Sequence, residues 1–272
     1  MKARWAARAV LSWVLLAAAL PALAGRNCDI QQPLKTAVLE RGLALAGRTL
    51  TALDASGADV VLLARAGQDL TKYGLRYSHF GFAYRQPDGA NGHVWRVLHK
   101  LNLCGTAVSA IYRQGLGEFF LDDLWRYEAA WVVPTPEVQA QLMMVLRDEP
   151  RSVSLHHKPY SMVSYAWSQK YQQSNQWATE TLAMALGSGD GGGRTGRGQA
   201  QAWLQAHDYQ PTPLKIGALT RLGGRITTAN VAFDDHPNSK RFADRIETVT
   251  VDSVFDWMQR AKLTAQPVGA LR

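Results

Sequence analysis

The ten residues Arg76–Arg85, with the sequence RYSHFGFAYR, decide the fold class of this chain. Their alternating aromatic and small side chains predict a β-strand, and the turn-forming residues 87–92 (PDGANG) follow almost at once. A second strand-like stretch, residues 94–101 (VWRVLHKL), comes directly after that turn. Two strands joined by a short turn pair antiparallel, so the sequence predicts a β-hairpin.

The sequence before and after this hairpin predicts an α+β fold, in which an antiparallel sheet packs on helices. Apolar or alternating runs predict further strands at residues 58–66, 127–133 and 246–251. Helical periodicity and capping signals predict helices at residues 29–56, 115–121, 135–148, 174–186, 199–207 and 252–262. The glycine-rich residues 187–198 predict a flexible surface loop, because they lack the strand, helix and Gly-Lys-Ser/Thr ending of a phosphate-binding loop.

Length and composition exclude several classes of protein. The 272 residues suffice for a large core, and 47% hydrophobic with 19% charged residues excludes a disordered chain or a coiled coil. Two cysteines cannot form a four-cysteine zinc site. We find no internal repeat and no linker that divides residues 25–272, which we therefore expect to form a single domain.

The first 24 residues predict a signal peptide. Lys2, Arg4 and Arg8 precede the apolar residues 9–20, and residues 22–24 (ALA) have the pattern of a signal-peptidase site. The apolar run is shorter than the roughly 20 residues that span a bilayer, so we expect cleavage rather than an integral membrane anchor. The protein is therefore expected to be exported, and to be periplasmic if the source is Gram-negative.

Export has consequences for charge and for the cysteines. Loss of the three N-terminal cations lowers the net charge from +8 to +5, and the remaining basic residues are scattered, which argues against nucleic acid as a partner. In an oxidising compartment Cys28 and Cys104 are expected to form a disulfide. The alternative, that one of them is a reactive thiol, stays open.

Three residues are candidates for catalysis. His79 lies within the first hairpin strand, and Gly81 on the same face would leave space beside the imidazole, as a general base needs. Ser174 stands at the start of a predicted helix, where unpaired backbone N–H groups stabilise a nucleophile or an oxyanion. His99, on the second hairpin strand, could orient His79. The alternatives are a hydrogen-bonded core histidine, a helix N-cap and a surface residue, respectively.

The order of these residues resembles the circularly permuted NlpC-type papain-like superfamily, which includes bacterial cell-wall amidases and lecithin:retinol acyltransferase-like enzymes. Its histidine motif is similar to residues 78–81 (SHFG). Its nucleophile motif, a cysteine followed three residues later by an aromatic at a helix start, has the spacing of Ser174 and Trp177. The resemblance implies a papain-like fold with His79 as base, His99 as orienting group and Ser174 at the nucleophile position.

The chain bears a closer resemblance to an uncharacterised family of exported bacterial proteins, over nearly all of residues 26–260. The matching stretches are residues 76–79, 114–116, 171–172, 175–177 and 234–237. That family commonly has Asn-Cys where this chain has Gln173-Ser174. Because a serine hydroxyl has a far higher pKa than a thiol, the chain is either a serine variant or a protein that keeps the fold without the chemistry.

The resemblance implies an amide or ester hydrolase or an acyltransferase that acts on a cell-wall peptide or a lipid-derived substrate. The alternative is a catalytically inactive periplasmic binding or scaffold protein that keeps the cleft. No cofactor and no metal is predicted. Adjacent acidic and histidine residues occur at residues 234–236 and 156–157, but adjacent side chains diverge and seldom bind one ion, and Pro237 favours a turn.

Overall fold

The computed structural model describes residues 34–122, 124–187 and 196–272. The helices are α1 (Thr36–Ala55), α2 (Leu116–Phe120), α3 (Pro136–Arg147), α4 (Glu149–Ser152), α5 (Ser174–Gly187), α6 (Arg197–Ala206), α7 (Ala218–Thr227), α8 (Asn238–Phe242) and α9 (Val251–Arg260). The strands are β1 (Val60–Ala66), β2 (His79–Pro87), β3 (His93–Asn102), β4 (Ser109–Gly115), β5 (Arg126–Val132), β6 (Thr212–Lys215), β7 (Arg245–Thr248) and β8 (Gly269–Leu271). The predicted α+β class is confirmed.

Six strands form the main sheet, in the order β4-β3-β2-β1-β5-β8, and all neighbours are antiparallel. The predicted hairpin is confirmed as β2 and β3, which pair from Phe82 opposite Leu98 to Pro87 opposite His93. The edge strands β4 and β8 were not predicted. β4 mixes polar and apolar residues without strict alternation, and β8 has only three residues.

Helices cover both faces of this sheet, and this explains why all seven residues of β1 are buried. On one face Val61 and Leu63 belong to a hydrophobic cluster with residues of α1 and α2. On the other face Val60 and Leu62 belong to a cluster with residues of α3, α5, α6 and α9. A strand buried on both faces needs a continuous apolar run, as residues 60–64 (VVLLA) provide.

A small second sheet pairs β6 with β7, close to where one strand was predicted at residues 246–251. β7 ends at Thr248 because Thr250 caps α9, its hydroxyl accepting a hydrogen bond from the Ser253 backbone N–H at 3.1 Å. The helix predicted to begin at residue 252 therefore begins one residue earlier, at Val251. β6, α7 and α8 were not predicted from the sequence.

Several predictions fall outside the described residues. These are the signal peptide at residues 1–24, residues 29–33 of the first predicted helix, and most of the glycine-rich loop. Cys104 is disulfide-bonded, whereas Cys28 is among the residues outside, so their pairing remains a prediction. Among the described helices, none has the length and apolarity that crossing a membrane requires.

Candidate functional site

The structure brings two of the three predicted site residues together. His79 is the first residue of β2 and His99 lies near the end of β3, and their side chains are 8% and 0% exposed. Nε2 of His79 lies 2.9 Å from Nδ1 of His99, a hydrogen bond between two buried imidazoles. This hydrogen bond is the contact through which His99 would orient the imidazole of His79, as the sequence predicts.

A third side chain fixes which nitrogens carry protons. Nε2 of His99 lies 2.8 Å from the side-chain carbonyl oxygen of Gln114 on β4. A carbonyl oxygen only accepts, so His99 Nε2 carries a hydrogen and its Nδ1 accepts the hydrogen bond that His79 Nε2 donates. Nδ1 of His79 is then the unprotonated nitrogen, as in a base that a second group holds in one tautomer.

Arg65 places a cation beside this pair. It lies on β1 directly opposite His79, is buried, and donates from one guanidinium nitrogen to the backbone carbonyl of Phe119 and from another to Asp122 at 2.8 Å. Burial, followed by the charge of Arg65, lowers the pKa of His99 to about 4 and that of His79 well below its usual value. Both imidazoles are therefore neutral at pH 7.

Gly81 does not open a space beside the imidazole of His79, and this prediction is wrong. Gly81 and His99 come directly before and after the paired residues Phe82 and Leu98, and a Cβ added to Gly81 would lie 2.7 Å from Cβ of His99 and 2.8 Å from the Leu98 carbonyl oxygen. The absence of a side chain at Gly81 makes room for His99 itself. The glycine therefore serves the packing of the histidine pair rather than access to it.

We expect Gly81→Ala to lower the free energy of unfolding by about 1–3 kcal/mol, because backbone and side-chain atoms must move to admit the methyl group. Gly47→Ala is the matched control. Gly47 lies in α1, and an added Cβ would meet no atom within 4 Å beyond its chain neighbours and the backbone of its own helix, so this change should stabilise the protein by up to about 1 kcal/mol. Urea denaturation of the three proteins measures both changes, and equal effects of the two substitutions would contradict the packing role of Gly81.

The third predicted residue, Ser174, is not brought to His79. Side chains alternate along β2, so Phe82 packs on Trp177 of α5 while His79 faces Phe119 of α2 on the opposite side of the sheet. Ser174 does begin α5, as predicted, and is 5% exposed. Its hydroxyl lies 3.5 Å from the hydroxyl of Tyr160. The expected hydrogen bond between Ser174 and His79 is absent from the described residues.

Asn175 of α5 forms hydrogen bonds to the backbone at the start of β2. Its side-chain oxygen accepts from the backbone N–H of Phe80 at 3.1 Å, and its amide nitrogen donates to the carbonyl of Ser78 at 3.2 Å. Both partners are backbone groups on either side of His79. Asn175 therefore fastens the start of the helix to the start of the strand through backbone groups and not through the imidazole.

A second polar cluster lies on the α5 side of the sheet and was not predicted. Lys100, the neighbour of His99 on β3, is fully buried and donates to the His157 carbonyl at 2.8 Å and to the Gln172 side chain at 2.7 Å. Burial, followed by the charge of Arg197, lowers the pKa of Lys100 to about 6. Its amine is therefore largely neutral at pH 7.

The centre of this cluster is the ion pair of Glu180 on α5 and Arg197 on α6, with side chains 1% and 9% exposed. Arg197 Nε lies 2.8 Å from one carboxylate oxygen, and Gln201 donates to the other at 2.7 Å. Arg197 also donates to the backbone carbonyls of residues 168, 169 and 171. The pair therefore holds the loop that leads into α5.

The other histidine and acidic residues of the described part of the chain do not converge on a common point. His236 Nδ1 hydrogen-bonds Asp235 at 3.0 Å with both side chains fully buried, and Asp235 also accepts from the Tyr165 backbone N–H. Within residues 34–122, 124–187 and 196–272, no group of three or more His, Cys, Asp or Glu side chains is placed to hold a metal ion.

Two buried residues that were not predicted, Arg65 and Lys100, share one feature of the sequence. Arg65 interrupts a strand that is otherwise apolar, and Lys100 lies between Leu98 and Leu101 in a strand that contains five apolar residues. A charged residue within such a strand must find buried partners, which predicts a polar cluster although not its members. Gln114 carried no comparable signal, because it lies on an edge strand of mixed polarity.

Comparisons with known proteins give one match. A family model described as "Uncharacterized protein conserved in bacteria (DUF2145)" matches residues 52–258, which include both polar clusters. No curated protein and no solved structure matches the chain.

Proposed function

This chain belongs to the bacterial family DUF2145, and we propose that it works as an exported, catalytically inactive binding or scaffold protein. The observation that carries this proposal is the position of Ser174. Its hydroxyl faces Tyr160 on the α5 side of the sheet, and His79 points to the other side.

A serine hydroxyl needs a base within hydrogen-bond reach, about 2.6–3.2 Å, to become a nucleophile. Tyr160 cannot supply that base, because burial raises the pKa of its phenol and keeps it protonated. Serine at position 174 also lacks a second requirement of papain-like chemistry, the easily formed thiolate of a cysteine. Both features favour binding over acyl transfer.

By analogy with the NlpC-type enzymes, we propose that the bound molecule is a cell-wall peptide or a lipid-derived molecule. The analogy rests on the fold class and on the order of His79, His99 and Ser174 along the chain. Export through the predicted signal peptide would bring the protein to both kinds of molecule.

One observation favours the second candidate, an amide or ester hydrolase or acyltransferase. The hydrogen bonds from His79 to His99 and from His99 to Gln114 hold His79 as a neutral imidazole with Nδ1 unprotonated, which is the state of a general base. For this function, Ser174 or another nucleophile would have to approach Nδ1, which requires α5 to change its position relative to β2.

A Ser174→Cys variant separates the two candidates. We expect iodoacetamide to modify the introduced thiol slowly in the folded protein, because the position is 5% exposed and has no base beside it. The wild-type chain, labelled in parallel, gives the background of the native cysteines. The rate, measured by mass spectrometry, should be the same when His79→Asn is added.

Rapid labelling of the introduced thiol at pH 7 that disappears in the His79→Asn double variant would instead establish a thiolate–imidazolium pair and the papain-like chemistry. Circular dichroism of each variant shows whether it is folded. His99→Gln provides a second disruption of the same pair, should His79→Asn fail to fold.

A further inference from the structure

Helix α7 presents its apolar side to solvent, the reverse of an ordinary surface helix. Three large apolar side chains at positions i, i+3 and i+7 form one stripe on this helix, and they are among the most exposed in the described chain: Leu219 (86%), Leu222 (58%) and Ile226 (74%). Exposed apolar patches of this kind mark sites of interaction.

The opposite side of α7 holds it to the protein through small and polar groups. Arg221 forms an ion pair with Asp244 at 2.6 Å and donates to the Ile216 carbonyl. A Cβ added to Gly224 would lie 3.3 Å from Val231, so this side of the helix approaches its neighbour closely. The stripe therefore faces outward because the helix is fastened by its polar side, and we call its three residues the α7 stripe.

A cavity of about 460 Å³ lies beside the first turn of α7, and Thr220 is one of its lining residues. Two lysines, Lys72 and Lys215, also line it, together with residues 73, 213, 214 and 216. None of these described lining residues is acidic. The two lysines of the cavity therefore lie beside the N-terminal end of the α7 stripe.

We propose that this surface binds the face of a membrane rich in anionic phospholipid. The α7 stripe enters the boundary between headgroups and acyl chains, and Lys72 and Lys215 take a headgroup phosphate in the cavity. A short helix with a strong apolar stripe and flanking cations is the type of element that lies in the plane of a bilayer surface. Each basic residue near an anionic surface adds to the attraction.

Charge distinguishes this occupant from a second copy of the chain. The cations beside the α7 stripe are Lys72, Lys215 and the exposed Arg225, and residues 218–227 contain no acidic residue. Two copies meeting through the α7 stripe would bring the same cations of both molecules together, and like charges at an interface oppose association. An anionic lipid surface satisfies the apolar stripe and the cations at once.

Hydrogen–deuterium exchange of residues 218–227 in the full chain tests the proposal. Exchange is followed at these residues alone, because the apolar residues 9–20 also favour membranes and would contribute to any measurement of binding by the whole chain. We expect vesicles of equimolar phosphatidylcholine and phosphatidylglycerol to slow exchange there roughly tenfold, with pure phosphatidylcholine vesicles having little effect. Leu222→Ser with Ile226→Ser should abolish the protection, and Lys72→Gln with Lys215→Gln should raise the lipid concentration needed for it by about tenfold.

Leu43→Ser with Met144→Ser is the matched control, because these side chains are 53% and 58% exposed on α1 and α3, and it should leave the protection intact. The proposal is overturned by unchanged exchange with anionic vesicles, by equal protection from neutral vesicles, or by loss of protection in the control. Protection that rises with protein concentration without vesicles would identify a second copy as the occupant and would also overturn it. Circular dichroism checks that every variant is folded.

Discussion

Arg197→Met is expected to lower the free energy of unfolding by about 3–5 kcal/mol, because it leaves the carboxylate of Glu180 buried without its cation. Glu180 is only 1% exposed, so water cannot replace the guanidinium. The same change removes the donor that holds the carbonyls of residues 168, 169 and 171. Urea denaturation measures the loss, and proteolysis within residues 155–173 should become faster.

Two further variants show whether the effect comes from the buried charge. Adding Glu180→Gln to Arg197→Met should recover part of the loss, because a neutral amide is easier to bury than an unpaired carboxylate. Lys170→Met is the control for an exposed pair: Lys170 and Asp234 are 53% and 33% exposed, and its loss should stay below about 1 kcal/mol. A similar loss from Lys170→Met and Arg197→Met would contradict the importance of burial.

The second large effect is a loss of stability in acid that comes from the histidine pair. In the unfolded chain both histidines take up protons as the pH falls below about 6.5, whereas in the folded protein the pKa of His99 is about 4 and that of His79 is also well below its usual value. Their contribution to stability is therefore complete above pH 6.5 and is lost as the pH falls towards 4. Each histidine contributes up to about 1.4 kcal/mol per pH unit.

Replacement of one histidine should flatten this dependence. Between pH 6.5 and 4 the free energy of unfolding of His99→Gln should fall less steeply than that of the wild type, by up to about 1.4 kcal/mol per pH unit. Leu98→Ala is the control, because it loses stability through a cavity and removes no titrating group, so its curve should run parallel to the wild type. Parallel curves for His99→Gln and the wild type would show that His99 does not stay neutral in the folded protein.

The pairing of His79 with His99 was predictable because it depends on a local hairpin. A short turn at residues 87–92 determines which residues of β2 and β3 face each other, and Gly81 and His99 then lie just beyond the last paired residues. What the hairpin alone did not reveal is that Gly81 serves His99. That conclusion needs the distance between their Cβ positions, which pleating and twist determine.

The site of Ser174 was predictable along the chain but not in space. Its place at the start of α5 follows from the helical periodicity of residues 174–186. The face of the sheet on which α5 packs does not follow, because strands covered on both faces are apolar on both sides and carry no signal of which helix goes where. Arg65 and Lys100 lie on opposite faces of the sheet, but the sequence does not say which helices cover each face until the partners of these two side chains are known.

By itself, the sequence determined the α+β class, the central hairpin, the start of α5 and the proximity of two histidines, because each depends on side-chain periodicity or on a short connection. Only the tertiary structure decided that Ser174 and His79 lie on opposite faces, that Glu180 meets Arg197, and that α7 turns its apolar stripe outward. These arrangements depend on contacts between elements distant along the chain. Such contacts are selected by the packing of the whole core and not by local propensity.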